Sequence, residues 1–261
     1  MEIVAADLDV ATARALLAWQ IELGADEAIG EAPVNRYEVP AEVQEPAPAA
    51  AVAPVVAAAD DPVKAATAAA QAATSLAALA EAQAAYDLCD LKKGARNFVF
   101  ADGNAQARVM IIGEAPGRDE DIEGRPFVGR AGQLLDRMFA AIGLARGAAD
   151  AGAALYITNV MPWRPPSNRD PEPAEIAMML PFLARHVALA NPGLIVLMGN
   201  VPCAAALGRR GILRLRGQWC EAFGRPAMPM AHPAYLLRNP AAKREAWADL
   251  LDIKARLREL P

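Results

Sequence analysis

The chain has 261 residues, enough for one sizeable domain with additional segments, and a formal net charge of −5. It contains no run of about eighteen apolar residues and no basic start followed by an apolar core, which argues against a membrane span and a secretory signal. Its three cysteines, Cys89, Cys203 and Cys220, lie far apart without the spacing of a metal site or a disulfide framework, which favours a reduced, cytoplasmic protein.

The charge is unevenly distributed. Residues 1–60 contain eleven acidic and two basic side chains, a net charge of −9, whereas the other 201 residues contain twenty acidic and twenty-four basic side chains, a net charge of +4. A mildly basic body keeps nucleic acid open as a partner despite the acidic isoelectric point.

Composition divides the N-terminal third into three segments. Asp9–Leu23 has apolar residues at helical spacing and ends at Gly24, which predicts an amphipathic helix within residues 1–24. Residues 25–61 are rich in Ala, Pro and Glu without periodicity and are predicted to form a disordered linker. Residues 62–85 are alanine-rich and are predicted to form a connecting helix. The N-terminal segment is a candidate binding site for an unidentified protein.

From residue 86 to 261 short apolar runs alternate with helical patterns. Strands are predicted at Ala107–Ile112, Leu155–Val160, Leu194–Met198 and Ala227–Met230. Short apolar strands separated by helices indicate a mostly parallel sheet covered on both faces. The predicted fold is α/β, a three-layer α/β/α sandwich with a central, mostly parallel four-stranded sheet.

The first predicted strand leads into a loop rich in glycine and proline. Glu114 and Ala115 follow the strand within the sequence GEAPG, at the strand end where open α/β sheets bind ligands. Glu120 and Phe127 come later in the same stretch, among residues that forbid regular structure. Two carboxylates and an aromatic ring held in this way indicate a binding site; a solvated acidic loop is the alternative.

Polar residues also follow two later strands. The second strand ends in Thr158-Asn159 and continues towards RPPSNRDPEP. The last ends before HPAYLLRNPAAKR, which opens with His232. The other histidine, His186, lies in an apolar helical pattern and is predicted to be structural, whereas His232 lies between a strand and a proline-flanked turn and is predicted to be functional.

These motifs carry a resemblance to a known family. GEAPG, GRPFVGRAGQLL, YITNV, RPPSNRDPEP and HPAYLLRNPAAKR resemble, in order and spacing, the family 4 uracil-DNA glycosylases, over about residues 86–258. The resemblance implies a monomeric DNA repair enzyme that acts on uracil-containing DNA, hydrolysing the N-glycosidic bond to release uracil and leave an abasic site. No membrane partner is expected.

Two alternatives remain. A non-catalytic relative that binds damaged DNA is disfavoured by the intact Glu114, Asn159 and His232. A nucleotide-binding α/β protein is disfavoured because the glycine-rich turn lacks a Walker lysine and contains an acidic residue that would repel phosphate.

The resemblance also implies roles for individual residues. Phe127 would stack on uracil, and Asn159 would pair with its amide edge, because one carboxamide supplies both a donor and an acceptor. His232 would stabilise negative charge that develops on a uracil oxygen, and Glu114 would stabilise the sugar cation or orient water.

The remaining implied contacts surround this pocket. Glu120 would exclude the methyl group of thymine, and Ala115 would complete the uracil pocket. Leu236 would insert into the base stack where the uracil has left it. Phosphate contacts are implied for Arg238, Arg164 and Arg169.

The cofactor of the family is where this sequence departs from it. Family 4 members typically hold an iron–sulfur cluster with four cysteines, and the corresponding positions here are Tyr86, Cys89, Trp163 and Met179. One thiolate cannot hold such a cluster, so no cofactor and no metal are expected. The three bulky replacements predict an apolar plug in the vacated space.

Overall fold

The computed structural model describes residues 61–259, together with Val10, Thr12 and Arg14. These three residues are helical and exposed. The rest of the predicted N-terminal helix and the predicted linker as far as residue 60 lie outside the described residues. None of the helices in the described part is long and apolar enough to cross a bilayer.

A six-stranded mixed sheet forms the centre of the fold, in the order β1-β3-β2-β4-β6-β5. The strands are β1 (Ala101–Gly103), β2 (Val109–Gly113), β3 (Leu155–Asn159), β4 (Leu194–Met198), β5 (Cys220–Ala222) and β6 (Arg225–Met230). The four inner strands pair in parallel, and β1 and β5 add an antiparallel strand at each edge. Every residue of β2, β3 and β4 is buried, as expected for strands covered on both faces.

The α/β class is confirmed, and the count of four strands is wrong. Both additional strands are three residues long, and each is antiparallel to its single neighbour. Three residues are too few to show an apolar run or an alternation, so the sequence carries no periodic signal for these strands.

Helices cover both faces of the sheet. They are α1 (Pro62–Ala72), α2 (Leu76–Ala85), α3 (Leu91–Gly94), α4 (Arg118–Glu123), α5 (Arg130–Ala140), α6 (Pro173–Ala190), α7 (Asn200–Leu207), α8 (Ile212–Leu215), α9 (Pro233–Arg238) and α10 (Lys243–Glu259). Alternate residues of β2 belong to two separate hydrophobic clusters, with Met110 and Ile112 in one and Val109 and Ile111 in the other. We call these the first-face and second-face clusters. Residues of α1, α2 and α6 join the first, and residues of α5 and α10 join the second, which gives the three layers.

The alanine-rich segment predicted as one connecting helix forms two helices, α1 and α2, with a break between them. The Asp61 carboxylate caps α1 and the Ser75 hydroxyl caps α2, each by accepting backbone N–H donors. Ala66, Ala70 and Leu79 are almost fully buried in the first-face cluster. The segment is therefore part of the core, because its small side chains let both helices pack closely against α6.

Candidate active site

A cavity of about 670 Å³ lies at the carboxyl ends of the parallel strands. Parallel strands end at the same edge of a sheet, so residues far apart in sequence meet there. The six residues predicted to form the pocket or to act in it all line the cavity: Glu114, Ala115, Glu120, Phe127, Asn159 and His232.

Asn159, the last residue of β3, lines the cavity and carries an unpaired acceptor. Its side chain is buried, and among the described residues its Oδ1 is the buried side-chain oxygen or nitrogen that has no hydrogen-bond partner. A buried polar atom left without a partner costs about 1–3 kcal/mol. The orphaned oxygen is therefore an acceptor that a bound N–H donor would satisfy.

Phe127 is held in an unusual backbone conformation beside this amide. Its φ of 54° is uncommon for a bulky residue. The guanidinium of Arg146 donates to the carbonyl oxygens of Phe127 at 2.8 Å and Pro126 at 2.9 Å, and it also pairs with Asp102 and Asp136. Sequence reasoning missed Arg146, because its partners lie in three separate segments.

Gly113, at the end of β2, provides the space for both side chains. A Cβ atom at this position would lie 2.3 Å from Asn159 Oδ1 and 2.4 Å from Phe127 Cε2. Since real Cβ contacts are never that short, only glycine allows the amide and the ring to occupy these positions.

Glu120 fixes the loop that follows Phe127. Its Oε1 accepts hydrogen bonds from the backbone N–H groups of Val128 at 3.0 Å and Gly129 at 2.9 Å. This carboxylate thus has a structural task that the sequence did not indicate. Exclusion of a methyl group by Glu120 stays a prediction.

His232 faces the cavity as a neutral imidazole. Its Nδ1 accepts a hydrogen bond from the backbone N–H of Ala234 at 3.2 Å, so the ring proton lies on Nε2. Burial, with a smaller contribution from the charge of Arg238, lowers the pKa of His232 to about 4. The ring centroid lies 5.5 Å from that of Phe127. Near neutral pH this side chain is an uncharged hydrogen-bond donor in the cavity wall.

The pKa of Glu114 is shifted upwards, in the opposite direction to that of His232. Burial raises the pKa of Glu114 above its usual range, the negative charge of Asp170 raises it further, and Arg210 opposes both. Asp170 and Asn168 line the cavity as well. Sequence reasoning missed both as site residues, although they belong to the RPPSNRDPEP motif, because only its arginines were considered as contacts.

Arg164 and Arg169 brace the loop that carries Asp170. Arg164 Nε donates to Asn168 Oδ1 at 2.8 Å. Arg169 makes two hydrogen bonds to the carboxylate of Glu175, at 2.9 and 2.6 Å. The Glu175 carboxylate offsets the Arg169 charge, and the phosphate contacts of Arg164 and Arg169 both stay predictions.

The prediction that Leu236 inserts into DNA is wrong. Its side chain is fully buried in the second-face cluster, because α9 packs against α5 and turns this residue inward. Arg238, two residues later, is exposed and lines the cavity. No carboxylate within residues 61–259 forms a salt bridge with it, which keeps its predicted phosphate contact possible.

The residues at the four cluster positions do not fit an iron–sulfur group. Tyr86, Cys89, Trp163 and Met179 are all buried in the first-face cluster. The Tyr86 hydroxyl donates to a backbone carbonyl at 2.7 Å, and burial raises the pKa of the Cys89 thiol, which favours its protonated form. In the described part of the chain, no group of three or more His, Cys, Asp or Glu side chains could hold a metal ion.

Comparison with known proteins agrees with this geometry. The model of the uracil DNA glycosylase superfamily matches residues 100–251. The type-4 uracil-DNA glycosylase of Archaeoglobus fulgidus is 39% identical over 174 residues, which cover 63% of this chain and 84% of the relative. The type-4 enzyme of Pyrobaculum aerophilum is 38% identical, over 63% of this chain and 85% of the relative. The type-4 enzyme of Thermotoga maritima is 38% identical, over 58% of this chain and 77% of the relative. The chain belongs to the uracil DNA glycosylase superfamily and, within it, to the type-4 uracil-DNA glycosylases.

Proposed function

We propose that this chain is a DNA repair glycosylase that hydrolyses the N-glycosidic bond of uracil in DNA, releasing free uracil and leaving an abasic site. One observation carries this proposal: Asn159, whose buried Oδ1 has no hydrogen-bond partner, lines a cavity whose walls also include Phe127 and the neutral His232. These are the groups needed to hold a planar base that has one N–H between two carbonyl groups.

Recognition of uracil follows from the amide. The N3–H of uracil would donate to Asn159 Oδ1, and the amide N–H₂ would donate to uracil O4, while Phe127 offers an aromatic surface. With the amide held in the observed orientation, Oδ1 against Gly113, both hydrogen bonds would be mismatched by cytosine, which carries an acceptor at N3 and an amino group at C4. A site built to hydrogen-bond one substrate rejects the mismatched analogue strongly, because its buried groups are left unpaired.

The chemistry uses the two perturbed groups. As the bond between C1′ and N1 breaks, its electron pair leaves with uracil, and His232 Nε2–H donates to the uracil oxygen where negative charge develops. The Glu114 carboxylate stabilises the positive charge on the sugar. Water then adds to C1′, and Glu114 accepts its proton, which the raised pKa of this carboxyl favours.

We also propose that the protein holds no iron–sulfur cluster, and that Tyr86, Trp163 and Met179 fill the corresponding space with hydrocarbon. The donor set supports this, because one thiolate cannot replace four. Iron and sulfide measured on protein purified without air should be absent, and the protein should be colourless. Stoichiometric iron and sulfide would contradict this proposal. The same proposal includes that the enzyme is cytoplasmic and monomeric, and that its N-terminal segment binds another protein.

The proposed activity is tested by single-turnover release of free uracil from an oligonucleotide that contains one uracil. Asn159→Ala and His232→Ala should each slow release by about 100- to 1,000-fold, the usual effect of removing one donor to a developing negative charge. Each variant should keep the thermal unfolding midpoint of the wild type within a few degrees. Tight binding to uracil-containing DNA without release would instead favour a non-catalytic relative.

A further inference from the structure

The loop between α7 and β5, which includes the short helix α8, presents an exposed leucine among arginines at the mouth of the cavity. Leu213 is 58% exposed and lines the cavity. Three neighbouring side chains are exposed arginines, Arg209, Arg210 and Arg214. Within residues 61–259, none of the three forms a salt bridge with a carboxylate.

The loop is anchored at both ends. Asn200 Oδ1 accepts hydrogen bonds from the backbone N–H groups of Gly211 at 3.1 Å and Ile212 at 2.9 Å. Gly211 has a φ of 104°, which favours glycine. On the far side Leu215 is buried, and Arg216 pairs with the buried carboxylate of Asp249. The position of Leu213 is therefore set before any ligand arrives, which reduces the ordering cost of binding.

An exposed leucine at the mouth of this cavity has a specific use in a base-flipping enzyme. When a nucleotide leaves the duplex, its neighbours lose stacking, and an inserted apolar side chain compensates for that loss. Leu236 cannot do this because it is buried in the core. Arginines around the leucine match the phosphates that flank the gap.

We propose that Leu213 is the residue that inserts into the base stack at the flipped uracil, and that Arg209, Arg210 and Arg214 contact the flanking phosphates of duplex DNA. This inference rests on the proposed glycosylase function. It assigns duplex recognition to a loop far in sequence from HPAYLLR, the motif in which the insertion was predicted.

Leu213→Ala tests the insertion by comparing single-turnover uracil release from matched single- and double-stranded oligonucleotides. The ratio of the duplex rate to the single-strand rate should fall by about tenfold or more, comparable with the loss of one base-stacking contact, because a single strand leaves no gap to fill. Leu213→Phe should restore most of the ratio. Leu251→Ala is the matched control, because Leu251 is 44% exposed on α10 and does not line the cavity.

An unchanged ratio for Leu213→Ala, or an equal fall in both rates, would overturn the insertion. Absence of uracil release by the wild-type protein from either substrate would instead contradict the proposed function. The arginines are tested by the salt dependence of binding to duplex DNA without uracil. Arg214→Gln should reduce the slope of log Kd against log[salt] by about one, whereas Arg244→Gln on α10 should leave it unchanged. Equal slopes for Arg214→Gln and wild type would refute the phosphate contact.

Discussion

Replacing Trp163 by alanine tests whether the apolar side chains at the positions of the family's cluster ligands stabilise the fold. Trp163 is 2% exposed, and its ring centroid lies 5.8 Å from that of Phe98. A buried tryptophan removes about 250 Å² from water, which at about 25 cal/mol per Å² corresponds to about 6 kcal/mol for the whole residue. Alanine retains part of this area, so we expect a loss of about 3–5 kcal/mol in the free energy of unfolding.

Urea denaturation followed by far-ultraviolet circular dichroism measures this loss without depending on the tryptophan signal. Trp247→Ala is the matched control: Trp247 is 44% exposed on α10, so its replacement should cost about 1 kcal/mol or less. A loss below about 1 kcal/mol for Trp163→Ala, or equal losses for the two variants, would refute the packing argument.

Three further results are expected. The acid limb of the pH–rate profile should follow Glu114, whose ionised form is active. Asp170→Asn removes a charge that raises the pKa of Glu114 and should move the limb to lower pH. Arg210→Gln removes a charge that lowers this pKa and should move the limb to higher pH. Shifts in the same direction would contradict this assignment. Gly113→Ala should slow uracil release by about 100-fold or more by displacing two pocket side chains, whereas Gly147→Ala, whose Cβ would meet no atom within 4 Å, should not. Removing the segment before α1 should leave single-turnover release unchanged, and removing α1 and α2 as well should lower the unfolding midpoint, because both helices pack in the core.

The sequence predicted those parts of the site that depend on strand ends. Glu114, Asn159 and His232 lie around one cavity because parallel strands bring their carboxyl ends together, and apolar runs reveal such strands. The edge strands β1 and β5 were missed because three residues are too few to carry a periodic signal.

Side-chain partners were much less predictable. Nothing local to Arg169 indicates that Glu175 would neutralise it, since the pair depends on how the loop folds back onto the first turn of α6. Leu236 follows a proline-flanked turn, a setting typical of surface loops, yet docking of α9 on α5 buries it. Leu213 gave no signal, because its exposure beside the cavity depends on the anchoring of the loop by Asn200.

The most direct test of the uracil pocket compares two duplexes that differ only in one base, uracil or cytosine. Each is incubated with excess protein, and the rate of base release is measured in a single turnover. The unpaired amide of Asn159 in the cavity predicts rapid release of uracil, with release of cytosine slower by about 10⁴-fold or more, because both of its hydrogen bonds would be mismatched. Release of cytosine at a rate close to that of uracil would contradict the assignment of this cavity as the uracil site.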